Sequence, residues 1–243
     1  MKKFYALVLL GTLFLTMLLS GCIGAMAEEA TEYQSGDFIY ALLEDGTAQI
    51  VKYSGTAETP EIPETLDGKT VTAIGLMAFS NCSSLTEVTI PDSVTAIGFG
   101  AFGNCSSLTE IVIPDSVTVI EDQLFHECTS LTKVILPNSV TEIGEHVFSN
   151  CSSLTEITIP DSVTTISVGT FYGCEALSEI AIPEGVTTIE PYAFGFTSLT
   201  EIAIPDSVTA IGEAAFDSET TLKVMAGSYA EQYAKDNGYQ YTY

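Results

Sequence analysis

The residues of this chain that could do chemistry recur at a fixed interval. Cysteine stands at Cys82, Cys105, Cys128, Cys151 and Cys174, each 23 residues after the last. Thiols can ligate zinc or pair as disulfides, but the paired C-x-x-C spacing of a zinc site is missing. Units stacked about 4.8 Å apart put neighbouring cysteines inside the Cα range of a disulfide, so distance leaves bridges open. Their odd number and their place beside a recurring phenylalanine point instead to small buried hydrophobes. His126 and His146 have no carboxylates at metal-ligand spacing and read as solvated side chains rather than ligands. The Asn-Cys-Ser sequons at Asn81, Asn104 and Asn150 are by-products of the repeat. No nucleophile elbow, phosphate loop or separable Ser, His and Asp set interrupts the pattern, so nothing points to an enzyme or to a cofactor.

The interval itself defines the architecture. Leucine follows each cysteine by three residues, at Leu85, Leu108, Leu131, Leu154 and Leu177, and proline keeps step from Pro91 to Pro183. A period between 20 and 50 residues marks a solenoid, in which each unit is one coil. In the coil from Leu108 to Cys128, Leu108, Ile111 and Ile113 carry the L-x-x-I-x-I spacing of a leucine-rich repeat strand. Pro114 lacks an N–H donor and turns the chain, and Val117 and Ile120 mark a second short extended piece. The next corner, EDQLFHEC, is expected to form a single helical or 3-10 turn with one ring pointing inward. Phe79, Phe102, Phe125, Phe148, Phe171, Phe194 and Phe216 would then stack as a ladder. One coil offers about seven inward apolar side chains at roughly 2 kcal/mol each, against about 1 to 2 kcal/mol per residue for ordering its backbone. An isolated coil therefore cannot fold, and the reading is a mainly β solenoid with a parallel sheet.

The two ends depart from the period. Lys2 and Lys3 precede an apolar run from Phe4 to Leu19, and Leu19-Ser20-Gly21-Cys22 resembles a bacterial lipobox. Residues 1–21 then read as a signal peptide, and Cys22 as the acylated first residue of the mature chain. Residues 22–36, small and acidic without periodicity, read as a flexible tether. Residues 37–53 read as a hairpin cap turning at Asp45-Gly46, and the repeats run over 62–222, the first of them enlarged around Asp67-Gly68. Phe194 to Leu199 is one residue short and Glu219 takes a cysteine slot, which predicts looser stacking there. Residues 223–243 hold a helix cap: Ser228 and Glu231 form a capping box, Tyr229, Ala230, Tyr233 and Ala234 share a face, and Gly238 stops it.

The coil pattern IPDSVTxIGxxAFxNCSSLTEV/I, the DGKTVTAIG segment and the closing GSYAEQYAKDNG together resemble the BspA-like leucine-rich repeat surface proteins of bacteria. The resemblance runs from about Phe38 to Tyr243. It implies a non-catalytic, surface-displayed binding or adhesion scaffold with a protein partner, host or bacterial.

Charge narrows the partners. The chain carries 7 lysines, no arginine and 32 acids; removing Lys2 and Lys3 leaves 5 against 32, or −27. Such a surface disfavours nucleic acid and anionic lipid, so attachment to a membrane falls to the lipid on Cys22. Glu87, Glu110, Lys133, Glu156, Glu179 and Glu201 form one column, and Asp92, Asp115, Asn138, Asp161, Glu184 and Asp206 another. Lys133 and Asn138 break both in the same coil. On the main strand Thr89, Val112, Ile135, Thr158, Ala181 and Ala203 face outward on the concave side. Val112 and Ile135 are the candidate anchors for a protein partner, with Glu110, Lys133 and Glu156 at the rim and Thr89 and Thr158 beyond. The alternative is an accessory lipoprotein capturing glycan or calcium; exposed aromatic rows would favour glycan, and none is legible.

Overall fold

The computed structural model describes residues 31–243, so the segment read as a signal peptide, Cys22 and most of the segment read as a tether lie outside the described residues. The repeats form a stack of parallel coils around one continuous apolar core. Strands Glu110–Val112, Lys133–Ile135 and Glu156–Ile157 pair in parallel, with Glu110, Lys133 and Glu156 at equivalent register. The second extended piece of each coil makes its own short parallel ladders, such as Thr165–Ile166 with Thr188–Ile189 and Ala210–Ile211. Between these two sides the prolines act as expected: the carbonyl of Pro114 accepts the N–H of Val117 at 3.0 Å, and Pro137 and Pro160 repeat the turn.

The third side differs from expectation. Among the described residues it contains no helix or 3-10 helix, only isolated turns closed between residues three apart. From Phe79 to Phe194, the residues two before and two after each phenylalanine are left-handed, as at Gln123 (φ 57°) and Glu127 (φ 60°) around Phe125. The reason lies in the backbone donors. A helical turn would direct every N–H back into its own coil. Here the N–H groups of Gln123, Phe125 and Glu127 donate instead to Glu145, Val147 and Ser149 of the next coil at 2.8–2.9 Å. Those of His126 and Cys128 close local turns at 3.0 and 3.1 Å. The alternation of hand joins successive corners into a third ladder. Asn81, Asn104 and Asn150 suit the left-handed slot, because a short polar side chain tolerates it.

Inside this corner the phenylalanines stack. Ring centroids from Phe79 to Phe216 are 5.1–5.9 Å apart, with interplanar angles of at most 26°. Tyr53 continues the stack at one end (5.1 Å), and Tyr239 closes it edge-on at the other (6.3 Å). The looser stacking expected near Phe194 does not occur: Phe194 and Phe216 lie 5.6 Å apart and within 3° of parallel. Asp217 offsets the missing residue, its carboxylate accepting the N–H groups of Phe196 (2.9 Å) and Thr197 (3.1 Å).

Both caps carry more structure than the sequence suggested. The hairpin Phe38–Leu42 with Ala48–Tyr53 gains a third antiparallel strand, Glu32–Ser35, from residues read as tether. Gly36 (φ 60°) makes the connecting turn, Tyr33 stacks on Tyr40 at 5.4 Å, and Ser35 donates to Asp67 at 3.1 Å. Ala48–Tyr53 then pairs in parallel with Lys69–Ile74 and joins the cap to the array. At the other end Ser228 caps helix Tyr229–Asn237, and Gly238 (φ 77°) ends it. Tyr229 stays exposed; Ala230, Tyr233 and Ala234 are the buried face. The Glu231 carboxylate reaches the N–H of Gly227 (2.6 Å) rather than that of Ser228, which already donates to Met225. Strand Tyr241–Thr242 returns to pair with Thr221–Lys223 and completes the cap.

Glu231 ties this cap together, since the Lys235 ammonium, the Tyr243 hydroxyl and the Gly227 N–H hold its carboxyl down to about 2 from an ordinary 4.5. Because the folded value is depressed, its stabilisation is full above 4.5 and is lost as pH falls towards about 2. Amides of helix 229–237 should therefore lose hydrogen-exchange protection, relative to mid-array amides, across that interval. In Glu231→Gln this difference should vanish; an unchanged pH dependence would assign the effect to other carboxylates.

Candidate binding surfaces

Along the strand side, residues alternate as the sequence requires. Ile111 and Val134 are buried, while their neighbours Val112 and Ile135 remain 51 % and 40 % exposed. Val112 and Ile135 are register partners on adjacent strands, so their side chains form one apolar patch. Thr89, Thr158, Ala181 and Ala203 extend the exposed column to either side. At the patch edge Lys133 Nζ lies 4.0 Å from Glu110 and 3.6 Å from Glu156, bridging two carboxylates that would otherwise repel across it. The predicted anchors and rim residues are thus brought together on one face.

The cysteines form the column expected of them. All five among the described residues are free thiols, and the four inner ones are buried. Cys105, Cys128, Cys151 and Cys174 each donate S–H to the carbonyl of the phenylalanine one coil back at 3.1–3.2 Å. Burial pushes these thiols up, Cys174 to about 12, which removes thiolate chemistry at neutral pH.

Elsewhere the structure alters the sequence reading. His126 is not a freely solvated side chain: Nε2 lies 3.3 Å from Glu127, and Nδ1 is buried without a hydrogen-bond partner. Among the described residues no group of three His, Cys, Asp or Glu side chains converges as a metal site. A groove of about 440 Å³ on the second strand side is lined by Asp122, Glu142, Glu145 and Glu190. Two of these already serve the backbone, Asp122 accepting the N–H of Glu145 (2.7 Å) and Glu190 that of Val168 (3.0 Å). An aromatic cluster invisible in the sequence also appears. Tyr172 and Phe196 meet edge to face at 5.1 Å on the outside of the phenylalanine corner. They occupy different slots of successive coils, so no fixed-period column reveals them.

Two outcomes follow. Brief alkylation of the native chain should modify Cys82, the half-buried repeat thiol, before the four inner ones, and denaturation without reductant should expose all five repeat thiols, Cys22 being counted apart; fewer repeat thiols would reveal bridges. Lys133→Glu turns two attractions into repulsions and should cost about 1 to 2 kcal/mol at low salt. At about 2 to 4 °C per kcal/mol the loss is visible in a melt, and high salt should recover most of it. Equal losses at both ionic strengths would mean that Lys133 packs rather than pairs.

Comparison with known proteins agrees with this geometry. The family model for the BspA type leucine rich repeat region matches residues 58–152 and 95–223, in six copies. A leucine rich cell surface protein from Faecalibacterium prausnitzii A2-165 is 38 % identical, with a TM-score of 0.74 over 82 % of this chain and 56 % of its own. This chain therefore spans little more than half of that relative. The leucine rich repeat protein of T. pallidum is 31 % identical, with a TM-score of 0.72 over 87 % of this chain and 98 % of its own. One from Bacteroides ovatus is 28 % identical, with a TM-score of 0.59 over 81 % of this chain and 66 % of its own. No curated protein matches the chain. Six matched repeats over most of the array, laid on a stack of 23-residue coils with three ladders, establish that the chain belongs to the BspA-type leucine-rich repeat family.

Proposed function

We propose that this chain is a non-catalytic binding or adhesion scaffold on the bacterial surface, held by acyl groups on Cys22, that engages a protein partner through the outer face of its strand row. The observation that carries the reading is the Val112 and Ile135 pair. Two large aliphatic side chains, 51 % and 40 % exposed at register positions, contribute nothing to the core. An apolar centre with a charged rim is the anatomy of a protein interface, and Glu110, Lys133 and Glu156 supply that rim. Lys133 is the one cation among the acids of its column, so a partner must match an acid, base, acid series. The family resemblance and the cell-surface relative support display outside the cytoplasm. A lipidated Cys22 fits the charge, since a surface this acidic is repelled by anionic headgroups and needs a covalent anchor.

The test compares the full chain in detergent micelles with its Val112→Ser, Ile135→Ser variant against surface proteins of bacteria and of host cells. Melting temperature should change little, because neither side chain is in the core. Affinity for a partner retained by the parent chain should fall about tenfold or more. Unaltered affinity in the folded variant would remove the site from this face.

A further inference from the structure

We infer that the outside of the corner around Phe194 is a second recognition surface, for an arginine- or lysine-bearing segment of a protein partner. It shares no residue with the strand-row patch and does not rest on that reading.

The first observation is misplaced aromatic residues. Tyr192 and Phe196 occupy the two left-handed slots of this coil, at φ 59° and 58°, and are 45 % and 64 % exposed. The slot of Phe196 holds Asn81, Asn104, Asn150 and Gly173 in four other coils, residues that adopt this conformation readily. A bulky ring there is strained and, being exposed, gains no core burial in return. Positions that break a local rule without gaining core burial are where function is expected.

The second observation is that the surroundings hold the Phe196 ring in place. The Phe196 ring stands against Tyr172 at 5.1 Å and 67°. Tyr172 lies over Gly195, where a Cβ would fall 3.3 Å from its Cδ2, so a side chain at 195 would crowd the ring. Asp217 fixes the backbone beneath, through the N–H groups of Phe196 and Thr197. The one shortened corner of the array is therefore also its aromatic one.

Charge selects the ligand. Between Lys133 and Lys223 the chain holds 13 Asp and Glu residues and no Lys or Arg. Glu213 and Asp217 belong to the adjoining coil, the former contributing its carbonyl to the N–H of Tyr192. Ring faces are themselves electronegative, and within an acidic field they attract a guanidinium or ammonium group above a neutral one. A planar, weakly hydrated guanidinium fits best.

A fluorescein-labelled peptide of alternating glycine and arginine, titrated by anisotropy against the full chain in non-ionic detergent, tests the proposal. The double variant Tyr192→Asn, Phe196→Asn should bind about tenfold more weakly. It should also melt at the same or a higher temperature, because Asn accepts the left-handed slots. Phe196→Leu, which keeps an apolar side chain and removes the ring, should weaken binding as well. Val112→Ser with Ile135→Ser should leave the peptide's affinity unchanged, which separates this surface from the strand-row patch. Affinity within twofold of the parent in both ring variants would overturn the proposal in favour of general charge attraction. A neutral oligosaccharide whose binding is lost in the double variant, while the peptide's is kept, would overturn it in favour of glycan.

Discussion

Everything in this molecule depends on the contact between one coil and the next. A coil of 23 residues has no interior of its own; its leucine, isoleucines, cysteine and phenylalanine are buried only because the coils before and after cover them. Three backbone ladders and one ring stack run along the array, and each must keep the same translation per coil. The ring stack at 5.1–5.9 Å is somewhat wider than ordinary strand spacing, and the left-handed corner holds it while still pairing its N–H groups. Deleting one ring would leave a cavity walled by two others with no second layer to collapse into it. Such a loss costs about 3 to 5 kcal/mol in a rigid core.

Polar side chains extend the same logic to the surface. Thr109, Thr132 and Thr155 each donate a hydroxyl to the carbonyl of the threonine one coil back, at 3.0–3.3 Å. Ser139 and Ser207 do likewise for valine carbonyls at 3.0 and 2.7 Å. Threonine at these slots therefore serves the stack besides suiting an extended backbone. The cysteines act similarly inside, their S–H groups satisfying carbonyls that a purely aliphatic residue would leave with one partner fewer.

A regular array makes function a matter of exceptions. Where each slot has a consensus residue set by stacking, side chains that leave the consensus without disturbing the stack are free to serve a partner. Val112, Ile135 and Lys133 are such departures on the strand face, and Tyr172, Tyr192 and Phe196 on the corner. Both groups sit away from the caps, which are occupied in closing the core. Asp67 ties the first cap to the first coil through Ser35 and Tyr40, and Glu231 gathers Lys235, Tyr243 and Gly227 at the last.

Period, inward positions, proline corners, hairpin turn and helix stop were all legible in the sequence, because each reflects a local rule applied many times over. The exposed column of Val112 and Ile135 was legible for the same reason: alternation along a strand decides which face a residue takes. What only the tertiary structure decided is how donors are shared between coils. The corner reads as a helical turn when one coil is considered alone, and only the carbonyls of the next coil make alternating hands the better solution. Strand Glu32–Ser35 was hidden because four mostly polar residues form a strand only when a neighbouring strand supplies their partners. The Tyr172 and Phe196 pair was hidden because its members lie 24 residues apart, one step out of period, and only the stacking of successive corners brings them together. Repetition writes the fold into the sequence, while contacts between unlike slots of successive coils exist only once the stack has formed.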